Sequence, residues 1–135
     1  MLIEHALKTY LEAQAGLTAL LGDGKIYYET APQDVIAPYV TLSKDFCERT
    51  KSHDGDSHLA ISRIQFSIFG VEKEGGYKTC KAIAAQLKIF LHCKKGIIGD
   101  SPGVRIYSSF WDSENDNYNS SLIELDVDYV ITHYE

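Results

Sequence analysis

Near the C-terminus, Ile123, Leu125, Val127, Tyr129 and Ile131 alternate with Glu124, Asp126, Asp128, Val130 and Thr132. No other feature of the chain restricts its fold so tightly. A sustained period of two places every second side chain on the same side of an extended backbone. One face must be buried and the other not, so the segment belongs to a sheet with its core on one side. Glu124, Asp126 and Asp128 then stand in line on the outer face, about 7 Å apart at ~3.4 Å of rise per residue. A ladder of like charge is mildly unfavourable within one chain. That points to a surface with an electrostatic task rather than a catalytic one.

The rest of the chain can be read by the same periodicities. Ile3, Leu7, Tyr10 and Leu11 have helical spacing, with Glu4, Lys8 and Glu12 on the other side. Gly16 interrupts this helix, and Leu17 to Leu21 makes another short helical turn before Gly22-Asp23-Gly24 stops it. Lys25 to Tyr28 reads as a short strand, and Thr30 to Pro38 as an irregular connection. Tyr39 to Cys47 alternates, as does Ser62 to Phe69, which buries Ile64, Phe66 and Ile68. Between these two strands Lys51, Ser52, His53, Asp54, Gly55, Asp56, Ser57 and His58 are polar throughout and carry an Asp-Gly turn signal. They predict a long hairpin whose tip, residues 50–58, has nothing to pack against and is mobile in an isolated subunit.

After Gly75-Gly76, the stripe Cys80, Ile83, Ala84, Leu87 and Phe90 or Leu91 predicts a second helix. Lys78, Lys81, Lys88 and Lys95 lie mostly off that stripe. A turn at Asp100 to Gly103 leads into a strand from Val104 to Trp111, with Val104, Ile106, Ser108 and Phe110 on one face. Asp112 to Ser121 reads as a polar connection. The expected fold is α+β: a mainly antiparallel sheet with two helices packed on one face, in the order α-β-β-β-α-β-β.

A length of 135 residues predicts one domain over 1–135. The net charge of −6 argues against a general nucleic-acid binder, which carries a basic footprint. Charge is unevenly spread: residues 51–100 hold 8 basic and 5 acidic side chains, residues 101–135 hold 1 and 7. Copies of the chain could therefore meet through complementary faces. Cys47, Cys80 and Cys93 lack the close pairing of a zinc site, and Cys80 falls on the apolar helix stripe. With no secretion signal and no apolar run of the ~20 residues that span a bilayer, the chain reads as made in a reducing cytosol.

Three places resemble sites without meeting their requirements. Asp112 to Asn117 spaces acids as a calcium loop does. However, Asn117 replaces the expected glycine, and Ile123 stands where the bidentate glutamate belongs. His53 and His58, with Asp54 and Asp56, are metal-capable groups confined to one loop, with no distant ligand pair. Carboxylates on a sheet face point in parallel rather than converging on a cation. Nucleophile elbows, phosphate loops and His-Glu-x-x-His are absent from the sequence. No catalytic, cofactor-binding or metal-binding residue is assigned. A small metal-dependent hydrolase built on His53, His58 and the acids is the remote alternative.

The segments from Leu2-Ile3-Glu4-His5-Ala6-Leu7 through Ala15 to Asp23, Ala37-Pro38-Tyr39-Val40-Thr41-Leu42, Arg63 to Gly70, Gly76-Tyr77-Lys78 and Trp111 to Tyr118 follow one another in a distinctive order. In that order and spacing the chain resembles the small tail-completion or tail-terminator proteins of long-tailed phages and prophages. The resemblance implies a structural virion protein without enzymatic activity or cofactor. It would form a ring, typically of six copies, at the head-proximal end of the tail tube, ending tube polymerisation and joining tail to head. Implied partners are further copies of the chain, the tail tube protein and a head connector or neck protein. Genomic DNA would pass through without specific binding, no membrane would be involved, and assembly would take place in the bacterial host cytoplasm. The polar hairpin 51–58 is then a candidate assembly loop, and Glu124, Asp126 and Asp128 a candidate lumen wall or interface. Another neck component, a head-completion or adaptor protein, is the nearest rival.

Overall fold

The computed structural model describes residues 3–21, 25–32, 38–52, 55–71, 76–99, 103–119 and 122–134. The elements in chain order are α1 (Ile3–Glu12), α2 (Ala15–Leu21), β1 (Ile26–Tyr28), β2 (Tyr39–Ser52), β3 (Gly55–Val71), α3 (Gly76–Leu91), β4 (Gly96–Ile98), β5 (Val104–Asn119) and β6 (Leu122–Tyr134). The class is α+β as expected, but the detail is corrected in two respects. There are three helices among the described residues, because Ala15–Leu21 is a helix in its own right. A short strand, β4, follows α3, so the order α-β-β-β-α-β-β becomes α-α-β-β-β-α-β-β-β.

The strands form one sheet in the order β1-β2-β3-β6-β5-β4. Every pairing is antiparallel except β1 with β2, which is parallel. β6 is central, and its alternation is fully expressed: Leu125, Val127, Tyr129, Ile131 and His133 are buried, while the residues between them are half-buried. Its buried face joins Val40, Leu42, Ile64, Phe66 and Ile68 beneath the stripes of α1 (Ile3, Ala6, Leu7, Leu11) and α3 (Cys80, Ile83, Ala84, Leu87, Leu91). α1 touches both edge strands, β1 and β4, so the sheet curls about the helices. The opposite face carries no helix among the described residues.

Close approach between β3 and α3 depends on glycine. A Cβ on Gly70 would lie 2.9 Å from both Cys80 Sγ and the Gly76 carbonyl oxygen, and one on Gly76 would collide with the Val71 backbone. At its other end α3 closes on Cys93, which takes a left-handed φ of 62°. Its N–H donates to the Ser109 carbonyl at 2.6 Å.

Two further expectations fail on β5. Of the expected connection from Asp112 to Ser121, Asp112 to Asn119 is strand, since β5 continues to Asn119 and pairs with β6 down to Asn119↔Leu122. Ser108 and Phe110 do not share the buried face of Val104 and Ile106. A register shift leaves Tyr107 without a partner on β6, so Ser109 turns inward and Phe110 is 51% exposed.

Candidate functional site

The helix-free face holds the residues singled out by charge. Its rows can be read across the sheet from the pairing: Tyr27–Thr41–Ser67–Asp126–Asn115 form one row. Tyr39–Phe69–Glu124–Asn117 flank it on one side, and Ser43–Gln65–Asp128–Ser113 on the other. Glu124, Asp126 and Asp128 thus lie side by side down the middle of this face, half-buried rather than fully solvated. The neighbouring side chains of β3 and β5 account for that burial.

Each acid has a polar neighbour supplied by β3 or β5. Asn117 Nδ2 donates to Glu124 Oε2 at 3.3 Å and to Asp126 Oδ2 at 3.0 Å. Ser113 Oγ donates to Asp128 Oδ2 at 3.0 Å. Arg63 on β3 reaches Asp128 at 2.9 Å and Asp112 at 2.7 Å. Asp112 is an unpaired residue at a second register shift of β5, which aims its carboxylate at Arg63. Asp45 stands at the matching shift of β2. Burial, then the charge of Asp128, raises its pKa, with Arg63 opposing.

Negative charge still exceeds positive on this face. The Glu124 carboxyl is raised above its usual pKa first by burial and next by Asp126, against the Asn117 hydrogen bond. Oδ1 of Asp126 and Oδ1 of Asp128 are buried with no hydrogen-bond partner among the described residues. Close by, Tyr39 stacks on Phe69 at 4.7 Å and meets Tyr27 edge-on at 6.4 Å, forming an aromatic strip beside the acids. Burial and Glu124 together hold the Tyr39 hydroxyl above its ordinary pKa. The arrangement offers a negative, hydrogen-bonded surface.

The remaining candidates fall elsewhere. His53 and Asp54 lie outside the described residues. The strands of the hairpin are paired through Lys51↔Asp56 and Ser52↔Gly55, past the end of β6. His58 is exposed, with its ring 5.5 Å from that of Tyr134. Glu114 and Asp116 project to the helix side, where Lys81 meets them at 3.2 and 3.5 Å. The alternating acids of 112–117 are therefore divided between the two faces. Among the described residues no cluster of His, Cys, Asp or Glu is arranged to hold a metal ion, and no helix is long and apolar enough to cross a membrane.

Sequence reasoning missed two contacts. Arg63 is the cation on which the acidic face converges, and its outward parity within Ser62–Phe69 was the available signal. His133 is buried, and its Nε2 lies 2.7 Å from Ser62 Oγ. Both residues fall on the buried parity of their strands, Ser62 with Ile64 and Phe66 and His133 with Ile131, which was the available signal.

A second feature lies at the β1 edge, on the helix side. Here a groove of about 720 Å³ is lined by Glu4, His5, Tyr28, Glu29, Leu42, Ser43 and Lys44. Lys44 approaches Glu4 at 3.6 Å, and Tyr28 shares a hydrogen bond with His5 at 3.1 Å. The groove exists because β1 stops at Tyr28, where Glu29 turns left-handed at φ 57°, while β2 runs on to Ser52.

Comparison with known proteins places this architecture. One solved structure, described as the virion of a native gene transfer agent particle, superimposes with a TM-score of 0.76 at 18% identity. It covers 98% of this chain and 93% of that one. A second solved structure gives a TM-score of 0.59 at 12% identity, covering 100% and 99%. No curated protein sequence matches significantly. The family model of tail completion protein gp17 matches residues 5–132, nearly the whole chain. The chain belongs to the tail completion protein gp17 family and is a structural protein of the phage tail.

Proposed function

We propose that this protein forms a ring, of six copies, at the head-proximal end of the tail tube, where it ends tube polymerisation and joins the tail to the head connector. The family match over residues 5–132 carries the reading. The fold supports it, with a helix-covered side, a polar helix-free side and no assembled catalytic group among the described residues. The protein acts by binding its neighbours and not as an enzyme.

The helix-free face lines the lumen. Glu124, Asp126 and Asp128 present a wall that repels the phosphate backbone, so DNA passes without adhering. A ladder held half-buried by Asn117, Ser113 and Arg63 keeps its charge in a fixed position. Adding the purified protein to polymerising tail tube protein tests the capping role. Tubes should stop growing and carry a ring at one end in electron micrographs, whereas continued growth with bare ends would refute it. The lumen assignment has its own test, the double variant Glu124→Lys, Asp126→Lys, which spares the Arg63–Asp128 pair. Particles should assemble but retain DNA on triggering, and normal DNA release would show that these acids do not face the passage.

A further inference from the structure

The ring reading leaves open which surfaces of the chain meet. The sheet is not symmetrical at its margins. On one side β1 covers β2 only over Val40–Leu42. On the other side β4 covers β5 only over Val104–Ile106, and the α3 terminus takes the next stretch. There Cys93 N–H donates to the Ser109 carbonyl, and Trp111 N–H donates to His92 Nδ1 at 3.2 Å. From Asp112 to Asn119 no strand lies along the outer edge of β5 among the described residues. Strand edges of that length are normally covered, because their outward N–H and C=O groups recruit another strand.

The two margins match in height. Pairing across the sheet runs Tyr28–Leu42–Phe66–Val127–Glu114 and Ile26–Val40–Ile68–Leu125–Asp116. β1 is therefore level with Glu114–Asp116, part of the open edge of β5. Two rows higher, Lys44–Ile64–Tyr129–Trp111 puts the groove at the end of β1 level with Trp111. Trp111 and its neighbour Phe110 are 39% and 51% exposed, and Lys88 stands 5.1 Å over the indole ring. The charged residues of the groove are Glu29 and the pair Glu4–Lys44, 3.6 Å apart.

We propose that neighbouring copies join edge to edge, the β1 margin of one receiving the β5 margin of the next. This rests on the ring reading and specifies its contact. β1 adds to the open edge of the neighbour's β5 at Glu114–Asp116 by main-chain hydrogen bonds. That alignment brings the neighbour's Trp111 to the groove where β1 ends, an aromatic anchor in a concave site. The cation beside the indole, Lys88, meets Glu29 next to the Glu4–Lys44 pair, so the contact is complementary in charge as well as shape. The two surfaces are different, so the contact is heterologous and propagates from copy to copy until a ring closes. The sheets then run on from subunit to subunit, with the acidic face on one side of the continuous wall and the helices on the other.

Cysteine cross-linking distinguishes this contact from others. Tyr27 and Asn115 fall in one row on the helix-free face, so cysteines there in adjacent copies would be within disulfide reach. With Cys47→Ser and Cys93→Gly removing reactive native thiols, the double variant Tyr27→Cys, Asn115→Cys should give a ladder of linked species beyond the dimer under oxidation. Mixed single variants should give dimers only. Trp111→Glu, tested for an unchanged far-ultraviolet spectrum, should reduce assembly at least ~10-fold by removing the aromatic anchor and placing a carboxylate beside Glu29. Rings seen by native mass spectrometry, with no cross-link and no effect of Trp111→Glu, would overturn the edge contact and leave the ring standing. Dimers from Asn115→Cys alone would mean β5 pairs with β5 about a two-fold axis, also overturning it. Monomers at every concentration, with and without tail tubes, would overturn the contact and the ring together.

Discussion

β5 and β6 lie side by side from Asn119↔Leu122 to Ile106↔His133, yet they are held by different forces. β6 has a buried residue at every second position from Leu125 to His133 and is fixed by the core beneath α1 and α3. β5 has Val104, Ile106 and Ser109 buried, and then runs from Phe110 to Asn117 with no buried residue. Its far half is attached by backbone pairing and by polar links: Arg63 to Asp112, Lys81 to Glu114 and Asp116, Asn117 to Glu124 and Asp126. A strand can thus be specified by its neighbours alone, and such a strand keeps an edge for an outside partner.

The largest expected effect comes from cutting into β6. Leu125→Ala should cost about 2–5 kcal/mol through lost burial and a residual cavity. Asp116→Ala, its partner across the pair on β5, should cost less than about 1 kcal/mol. Urea titrations of both variants measure the gap, and similar costs would show that β5 is a core strand after all.

Arg63 joins the two strands to β3, so Arg63→Ala should rank next. It leaves Asp128, whose side chain is only 13% exposed, without its cation. A loss of roughly 1–3 kcal/mol follows at neutral pH. Asp128→Asn in the same background should restore part of it, and a double-mutant cycle reads the coupling.

Alkaline pH separates the strands by a different property. Burial pushes the Cys80 thiol on α3 up to about 11 from 9.0, with a smaller contribution from Asp116. Burial and then Glu114 also raise the Tyr129 hydroxyl of β6. Both groups ionise more readily in the unfolded chain. The stability they confer is complete below their unfolded pKa values and declines as pH rises through the folded ones. The midpoint of thermal unfolding should therefore fall from pH 9 towards 11. Cys80→Ala and Tyr129→Phe should flatten that fall, and an unchanged slope would refute the linkage.

The smallest effect belongs to the ladder. Its pKa is raised, so the Glu124 carboxylate works against folding at neutral pH. Glu124→Gln should stabilise by about 0.5 kcal/mol at pH 7. The difference should vanish as the pH falls below the ordinary glutamate value of 4.5. A stabilising change at Glu124 would sharpen the proposal that this face serves DNA passage rather than folding.

How much of this was legible in the sequence follows from the same contrast. The stripes of α1 and α3 and the alternation of β6 could be read directly, because burial imposes a period on residues adjacent in the chain. The far half of β5 could not, because residues 112–119 have no apolar period and resemble a loop. β4 is only three residues long, too short to carry a pattern. Tyr107 and Asp112 shift the register of β5, and a bulge leaves no fixed mark in composition. The acidic face was visible as a ladder. Its ties to Arg63, Ser113 and Asn117 depend on pairing between distant segments, which local spacing does not encode.

The most direct test of the central claim is electron microscopy of particles made without this protein, with tail lengths and head attachment scored. Overlong or headless tails, restored to normal by supplying the intact chain, are the predicted result. Virions with tails of ordinary length joined to full heads would contradict it.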